Sequence, residues 1–129
     1  MEPQPNPQTR KVLIIEDEHF ISELYVRALT RAGYEVLVEV DGQKGLDLAK
    51  TNQYDIILLD LMIPTITGIE VLRQLRKPDA PKLKAKIVIT TNLEQREEIR
   101  ADIEAQADAY LVKAEMTPRE LVEFLNTIK

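Results

Sequence analysis

The sequence predicts an α/β domain, a parallel five-stranded sheet covered by helices on both faces. Two observations carry that prediction. Short apolar runs of strand length alternate five times with longer stretches of helical spacing along the 129 residues. Several of those runs are apolar throughout rather than alternating, as strands buried on both faces must be. Strands and helices that alternate in this way are joined by right-handed crossovers, which put helices on both sides of one sheet.

Each element has its own signal. KVLII (11–15) has the length and β-branching of a buried first strand. HFISELYVRALTRAG (19–33) follows, with Ile21, Leu24, Tyr25, Ala28 and Leu29 on one helical stripe and Gly33 to stop it. In YEVLVEV (34–40) Tyr34, Val36, Val38 and Val40 face one way and Glu35 and Glu39 the other, the pattern of a half-exposed or edge strand. GQKGLDLAKT (42–51) reads as a short helix weakened by its glycines. The run from Ile56 to Leu59 supplies a third strand and ends, unusually for a buried run, on Asp60. TGIEVLRQLRK (67–77) opens with Thr67 three residues before Glu70, a capping-box spacing, and turns Ile69, Leu72 and Leu75 inward. AKIVITT (85–91) is a fourth buried strand. NLEQREEIRADIEAQ (92–106) is a helix whose thin stripe, Ile99 and Ile103 among many charges, suits a solvated, mobile element. AYLV (109–112) is the fifth strand, and Thr117, Pro118 and Glu120 mark the start of a last helix in TPRELVEFLNTIK.

Composition excludes several classes of function. With 44% hydrophobic and 30% charged residues the chain reads as one globular domain over 11–129. The first ten residues, MEPQPNPQTR, read as a disordered leader without the apolar core of a signal peptide. A net charge of -5, with 17 basic residues scattered among 22 acids, gives no footprint for direct nucleic-acid binding. No apolar run is long enough to span a bilayer, so no membrane is expected. The lack of cysteine suits a reducing cytoplasm and removes thiolate metal sites.

Parallel sheets of this kind bind ligands at the carboxyl ends of their strands. Strand one ends in Glu16, Asp17 and Glu18, strand three in Asp60, strand four in Thr90, Thr91 and Asn92, and strand five in Lys113. Strand two ends in Val40 and Asp41, which read as turn chemistry. Carboxylates gathered at one edge repel each other and take up protons unless a cation is present. A hard divalent ion such as Mg2+, or Mn2+ in its place, satisfies Glu16, Asp17 and Asp60. Asp60 can then act as a nucleophile toward phosphorus, with Lys113 and Thr91 to neutralise and hold the transferred group.

Taken in order, IIEDE, LLDLMIPTITG, VITTN and YLVK resemble the receiver domain of two-component response regulators, over roughly residues 11 to 128. The likeness is to the single-domain chemotaxis regulator. That resemblance implies a flavodoxin-like strand order, 2-1-3-4-5, and a phosphorylation-dependent signalling switch rather than an enzyme. It implies that Asp60 is the phosphoacceptor and that Glu16, Asp17, Asp60 and the Met62 backbone carbonyl hold Mg2+. It further implies that Lys113 pairs with the phosphoryl group, that Thr91 is the switch hydroxyl, and that Tyr110 is the aromatic that changes rotamer. The implied partners are a histidine kinase or phosphotransfer protein and a downstream protein effector on the face of the fourth helix, fifth strand and fifth helix. It implies too that the residues two beyond the phosphoacceptor and the switch threonine, here Met62 and Leu93, influence hydrolysis. Both are apolar and orient water poorly, which predicts slow self-dephosphorylation. With the last helix running to residue 129, no effector domain is expected to follow, so output is expected through binding to another protein.

Three positions depart from the pattern. Ala114 follows the lysine where the family has Pro, so a trans or strained loop is expected there. Asn92 stands where a small residue is common, and either crowds access to the phosphoryl group or, the preferred reading, caps the fourth helix. Glu123 stands where members with winged-helix outputs carry an Arg for an ion-paired dimer, which disfavours that dimer.

Taken singly, the site residues have plainer readings. The acids are solvated loop residues, Asp60 is a cap, Lys113 lies on the surface, Thr91 closes a strand, and Tyr110 packs half-buried with its hydroxyl in water. His19, one residue before the apolar stripe, reads as a surface residue. Their joint position at four strand ends sets the cluster apart. Two other classes stand against the switch. A phosphorylation-independent docking or scaffold domain would bind its partner equally well with Asp60→Asn. An aspartyl phosphohydrolase needs a second acid two residues after the nucleophile, where this chain has Met62.

Overall fold

The computed structural model describes residues 9–92 and 96–128. Its elements run β1 (Lys11–Ile15), α1 (His19–Arg31), β2 (Glu35–Glu39), α2 (Gly42–Ala49), β3 (Ile56–Leu59), α3 (Gly68–Leu75), β4 (Lys86–Thr91), α4 (Glu97–Gln106), β5 (Ala109–Val112) and α5 (Pro118–Thr127). A short 3-10 turn over Lys113–Glu115 lies between β5 and α5. All strand pairings are parallel, and the sheet order is β2-β1-β3-β4-β5. This is the flavodoxin-like order expected, with the alternating strand β2 at one edge.

Strand alternation divides the core in two. Leu13, Ile15, Ile57, Leu59, Ile87 and Ile89 point to the face covered by α2, α3 and α4, where they meet Leu46, Leu72 and Ile103. Val12, Ile14, Ile56, Leu58 and Val88 point to the other face, where Tyr25 and Leu29 of α1 and Leu121 and Leu125 of α5 cover them. Each fully buried Leu or Ile contributes about 2 kcal/mol. The continuous apolar runs thus supply both halves of the core. Register aligns Ile15 with Leu59, so Glu16 and Asp60 leave the sheet side by side.

Several local expectations need correction. The α1 stripe is narrower than its spacing suggests, since Leu24 is exposed and Ser22 is buried, its hydroxyl donating to the His19 carbonyl. Thr67 does cap α3, accepting from the Glu70 N–H at 3.2 Å. The reciprocal half of that capping box is missing, because the Glu70 carboxylate instead accepts from Gln74 at 2.9 Å. Asn92 does not cap α4; its N-cap is Arg96, with no side-chain bond. Arg10, within the expected leader, donates to the Leu125 carbonyl at 3.3 Å, and residues 1–8 lie outside the described residues. Among the described residues every peptide bond is trans, that of Lys113 to Ala114 included.

The α5 cap is complete. Thr117 accepts from the Glu120 N–H at 3.1 Å, and the Glu120 carboxylate accepts from the Thr117 N–H at 3.0 Å. Thr117→Ala should cost about 1 kcal/mol in urea unfolding, with an unchanged m-value. A loss below a few tenths would show that Pro118 alone starts the helix.

The glycines of α2 and α3 have steric work that propensity does not reveal. A Cβ on Gly45 would come within 2.8 Å of the Ile15 side chain, and one on Gly42 would strike the Ile66 carbonyl. Those glycines let α2 lie close against β1 and the loop after β3. In that loop the Ile66 N–H donates to the Pro64 carbonyl at 3.0 Å, a γ-turn with Thr65 at φ +78°. For a β-branched residue that backbone is strained.

Candidate functional site

Glu16 and Asp60 each occupy the position just past a central strand, where the sheet still shields them from water. Their exposures are 1% and 4%. Lys113, just past β5, is 8% exposed and reaches both. Its ammonium donates to Asp60 Oδ2 at 3.0 Å and forms a close ion pair with Glu16 Oε1. The remaining oxygens are also satisfied. Met62 N–H donates to Asp60 Oδ1 at 3.2 Å, and Glu18 N–H donates to Glu16 Oε2 at 3.2 Å. Burying a lysine between two acids is the reverse of the solvated reading that Lys113 has by itself.

Electrostatics follow from that burial. Desolvation raises the Glu16 carboxyl to about 7, against the lowering effect of its bond from Lys113, while neighbouring Asp60 raises it further. Burial works against the charge of Lys113, but its bonds to Glu16 and Asp60 outweigh it and hold the ammonium above its ordinary value. Asp17 is exposed beside this pair. One oxygen from each of Glu16, Asp17 and Asp60 can be chosen so that all lie within 4.8 Å of one another. An all-oxygen donor set of this kind fits a hard divalent cation, and Glu16, Asp17 and Asp60 would hold it.

A cavity of about 200 Å³ opens over Asp60, lined by Glu18, Met62, Thr91, Asn92 and Lys113 as well as Asp60 itself. Thr91 is fully buried at the end of β4. Tyr110 lies on β5 opposite Ile89, two residues before Thr91, and is half-buried. The Arg100 guanidinium of α4 covers its ring at 4.4 Å from the centroid, a cation–π contact that ties α4 to β5. Leu93 lies outside the described residues. His19 is exposed at the start of α1, and Glu123 pairs with Arg119 at 3.3 Å.

The edge of the sheet therefore offers a carboxylate with one oxygen on an amide and the other on an ammonium, beside two further acids and an open cavity. The family model for the response regulator receiver domain matches residues 12–126. The chain belongs to the response regulator receiver domain family. As a receiver domain of a two-component system it is 37% identical over 119 residues to response regulator ArlR of Staphylococcus saprophyticus, covering 92% of this chain and 50% of that protein. ArlR of Staphylococcus aureus is 36% identical over 119 residues, with 92% and 51% covered. The chain thus spans about half the length of these curated relatives. Among solved structures, the Francisella response regulator 1452 receiver domain is 30% identical with a TM-score of 0.78, over 92% of this chain and 94% of that one. Chemotaxis response regulator CheY4 of Vibrio cholerae is 28% identical with the same TM-score, over 92% and 98%.

Sequence reasoning grouped Glu16, Asp17, Asp60, Thr91 and Lys113, and the receiver-domain fold brings these five to one edge. Glu18 had no expected site role, and for Asn92 a helix cap was preferred over a place beside the phosphoryl group. Both line the cavity, because α1 begins only at His19 and α4 only at Glu97. Signals for either were weak: Glu18 ends an acidic triplet, and Asn92 directly follows Thr91. No helix among the described residues is long and apolar enough to cross a membrane.

Proposed function

We propose that this receiver domain is a cytoplasmic phosphorylation switch, taking a phosphoryl group onto Asp60 from a histidine kinase or phosphotransfer protein. The observation that carries the reading is the buried Asp60 carboxylate under an open cavity, with Lys113 on one oxygen. A carboxylate oxygen of Asp60 attacks phosphorus, the phosphorus–nitrogen bond of phosphohistidine breaks, and its electron pair returns to the imidazole. Lys113 stays beside the transferred group and neutralises part of its charge. Glu16, Asp17, Asp60 and the Met62 carbonyl hold Mg2+, which supplies further charge neutralisation when bound.

The new charge, about -1.5 to -2 by analogy with other phospho-residues, needs donors. Thr91, whose residue lines the cavity, turns its hydroxyl toward it, and Tyr110 follows into the space behind. Tyr110 sits under Arg100, so its movement alters how α4 rests on β5 and remodels the α4-β5-α5 face that a downstream protein binds. Asp60 is then released slowly, since Met62 and Leu93 bring no polar group to orient water.

Intact mass after mixing with acetyl phosphate and Mg2+ tests this directly. One phosphoryl group is expected on the wild type, none without Mg2+, and none on Asp60→Asn. The added mass should persist for minutes or longer after the donor is removed, and a half-life of seconds would reject slow release. No gain where another receiver domain is modified would favour a phosphorylation-independent docking domain.

A further inference from the structure

The loop from Asp60 to α3 is fastened along its length, and at its far end the Gly68 N–H donates back to the Leu61 carbonyl at 3.0 Å. At its start the Met62 N–H donates to Asp60 Oδ1. Further on, residues 64–66 dock on the N-terminus of α2, the helix before β3. The Gly42 N–H donates to the Pro64 carbonyl at 3.0 Å, and the Thr65 hydroxyl forms a close hydrogen bond to Asp41 Oδ1. Asp41 is itself fixed. Its other oxygen accepts from the Lys44 N–H at 2.9 Å as the α2 cap, and its own N–H donates to Glu39 Oε2 at 3.0 Å. Gly42 leaves room for the docking, since a Cβ there would strike the Ile66 carbonyl.

Thr65 is the anomaly in this arrangement. At φ +78° the backbone favours glycine and disfavours a β-branched residue most of all. What the threonine brings, and glycine cannot, is the hydroxyl that reaches Asp41. We propose, resting on the Mg2+ reading above, that Thr65 and Asp41 are positioning residues: their bond clasps the loop to α2 and so fixes the Met62 carbonyl for the cation beside Asp60. The depressed Asp41 carboxyl, lowered chiefly by the bond from Thr65, accords with an ionised acceptor in that clasp.

Two roles can be told apart at Thr65, because glycine relieves the backbone while deleting the hydroxyl. Thr65→Gly should unfold no more easily than the wild type, yet bind Mg2+ about tenfold more weakly in isothermal titration calorimetry. Thr65→Ser keeps the donor and should retain wild-type affinity. Asp41→Ser still caps α2 but is too short to reach Thr65, and should match the glycine variant. Hydrogen exchange of amides 61–67 should quicken in Thr65→Gly and Asp41→Ser and stay slow in Thr65→Ser. Mg2+ affinities within twofold of wild type for both weakened variants would overturn the clasp. A wild type that binds no Mg2+ would instead remove the cation reading, and the clasp's role toward it.

Discussion

Lys113→Ala lowers the unfolding free energy by about 3 kcal/mol at pH 7.5, the scale expected when one partner of a buried ion pair is removed. Lys113 is the common donor to Glu16 and Asp60, both almost without exposure, so the variant leaves two buried acids facing each other with no cation between them. The deficit should shrink at pH 5. In the folded protein burial raises Glu16 to about 7, above its ordinary 4.5. An acid held above its unfolded value contributes stability that is fully present below pH 4.5 and is lost as pH rises through 7. Lys113 lowers Glu16, so its removal lets Glu16 keep a proton to higher pH still. The variant then suffers most at neutral and alkaline pH, where retaining that proton costs free energy. Urea unfolding of both proteins at pH 5 and 7.5 without metal checks this. Equal deficits at the two values would mean that lost packing of the lysine stem, not charge, sets the cost.

Gly68→Ala is expected to cost about 3 kcal/mol and to slow phosphoryl uptake as well. Alanine is ordinarily the better helix residue, so propensity predicts the opposite sign. The first residue of α3 lies against the end of β3, where a Cβ would strike the Asp60 carbonyl and come within 2.7 Å of the Leu61 Cα. Both are backbone, and neither can turn aside as a side chain would. Relief requires α3 to draw back or the Asp60 peptide to shift, and the second displaces the acceptor carboxylate from Lys113. Thermal unfolding and the acetyl phosphate reaction together separate these responses. A variant as stable and as reactive as wild type would show that the helix can move at no cost.

The fold was legible because its signals repeat. Four apolar residues in each of β1 and β3 admit only strands buried on both faces, and the alternation in β2 marks an edge. Thr117, Pro118 and Glu120 form a cap that local chemistry alone determines. The site was legible through residue type and strand ends, which place Glu16, Asp60 and Lys113 together without knowledge of any distance. What escaped depends on contacts between distant segments. Glu70 turns to Gln74 rather than back to Thr67, a choice between two local partners that spacing cannot make. Gly42 and Gly45 look like weak points of a helix until Pro64, Ile66 and Ile15 are seen beside them. Thr65 reads as an ordinary loop residue, since neither its backbone angle nor its bond to Asp41, across 24 positions of chain, has a local signature.

The pairing of Ile15 with Leu59 bears on which heritable changes the gene can absorb. Each strand residue advances the chain by about 3.3 Å and reverses its facing. A codon lost from β1 or β3 would draw Glu16 or Asp60 back by that length and turn it to the opposite side. The same loss would exchange inward residues between the two halves of the core. Reading-frame-preserving insertions and deletions should therefore be purged from these two strands even where every substituted residue is apolar, while the stretch 77–82, exposed except at Ala80, tolerates them.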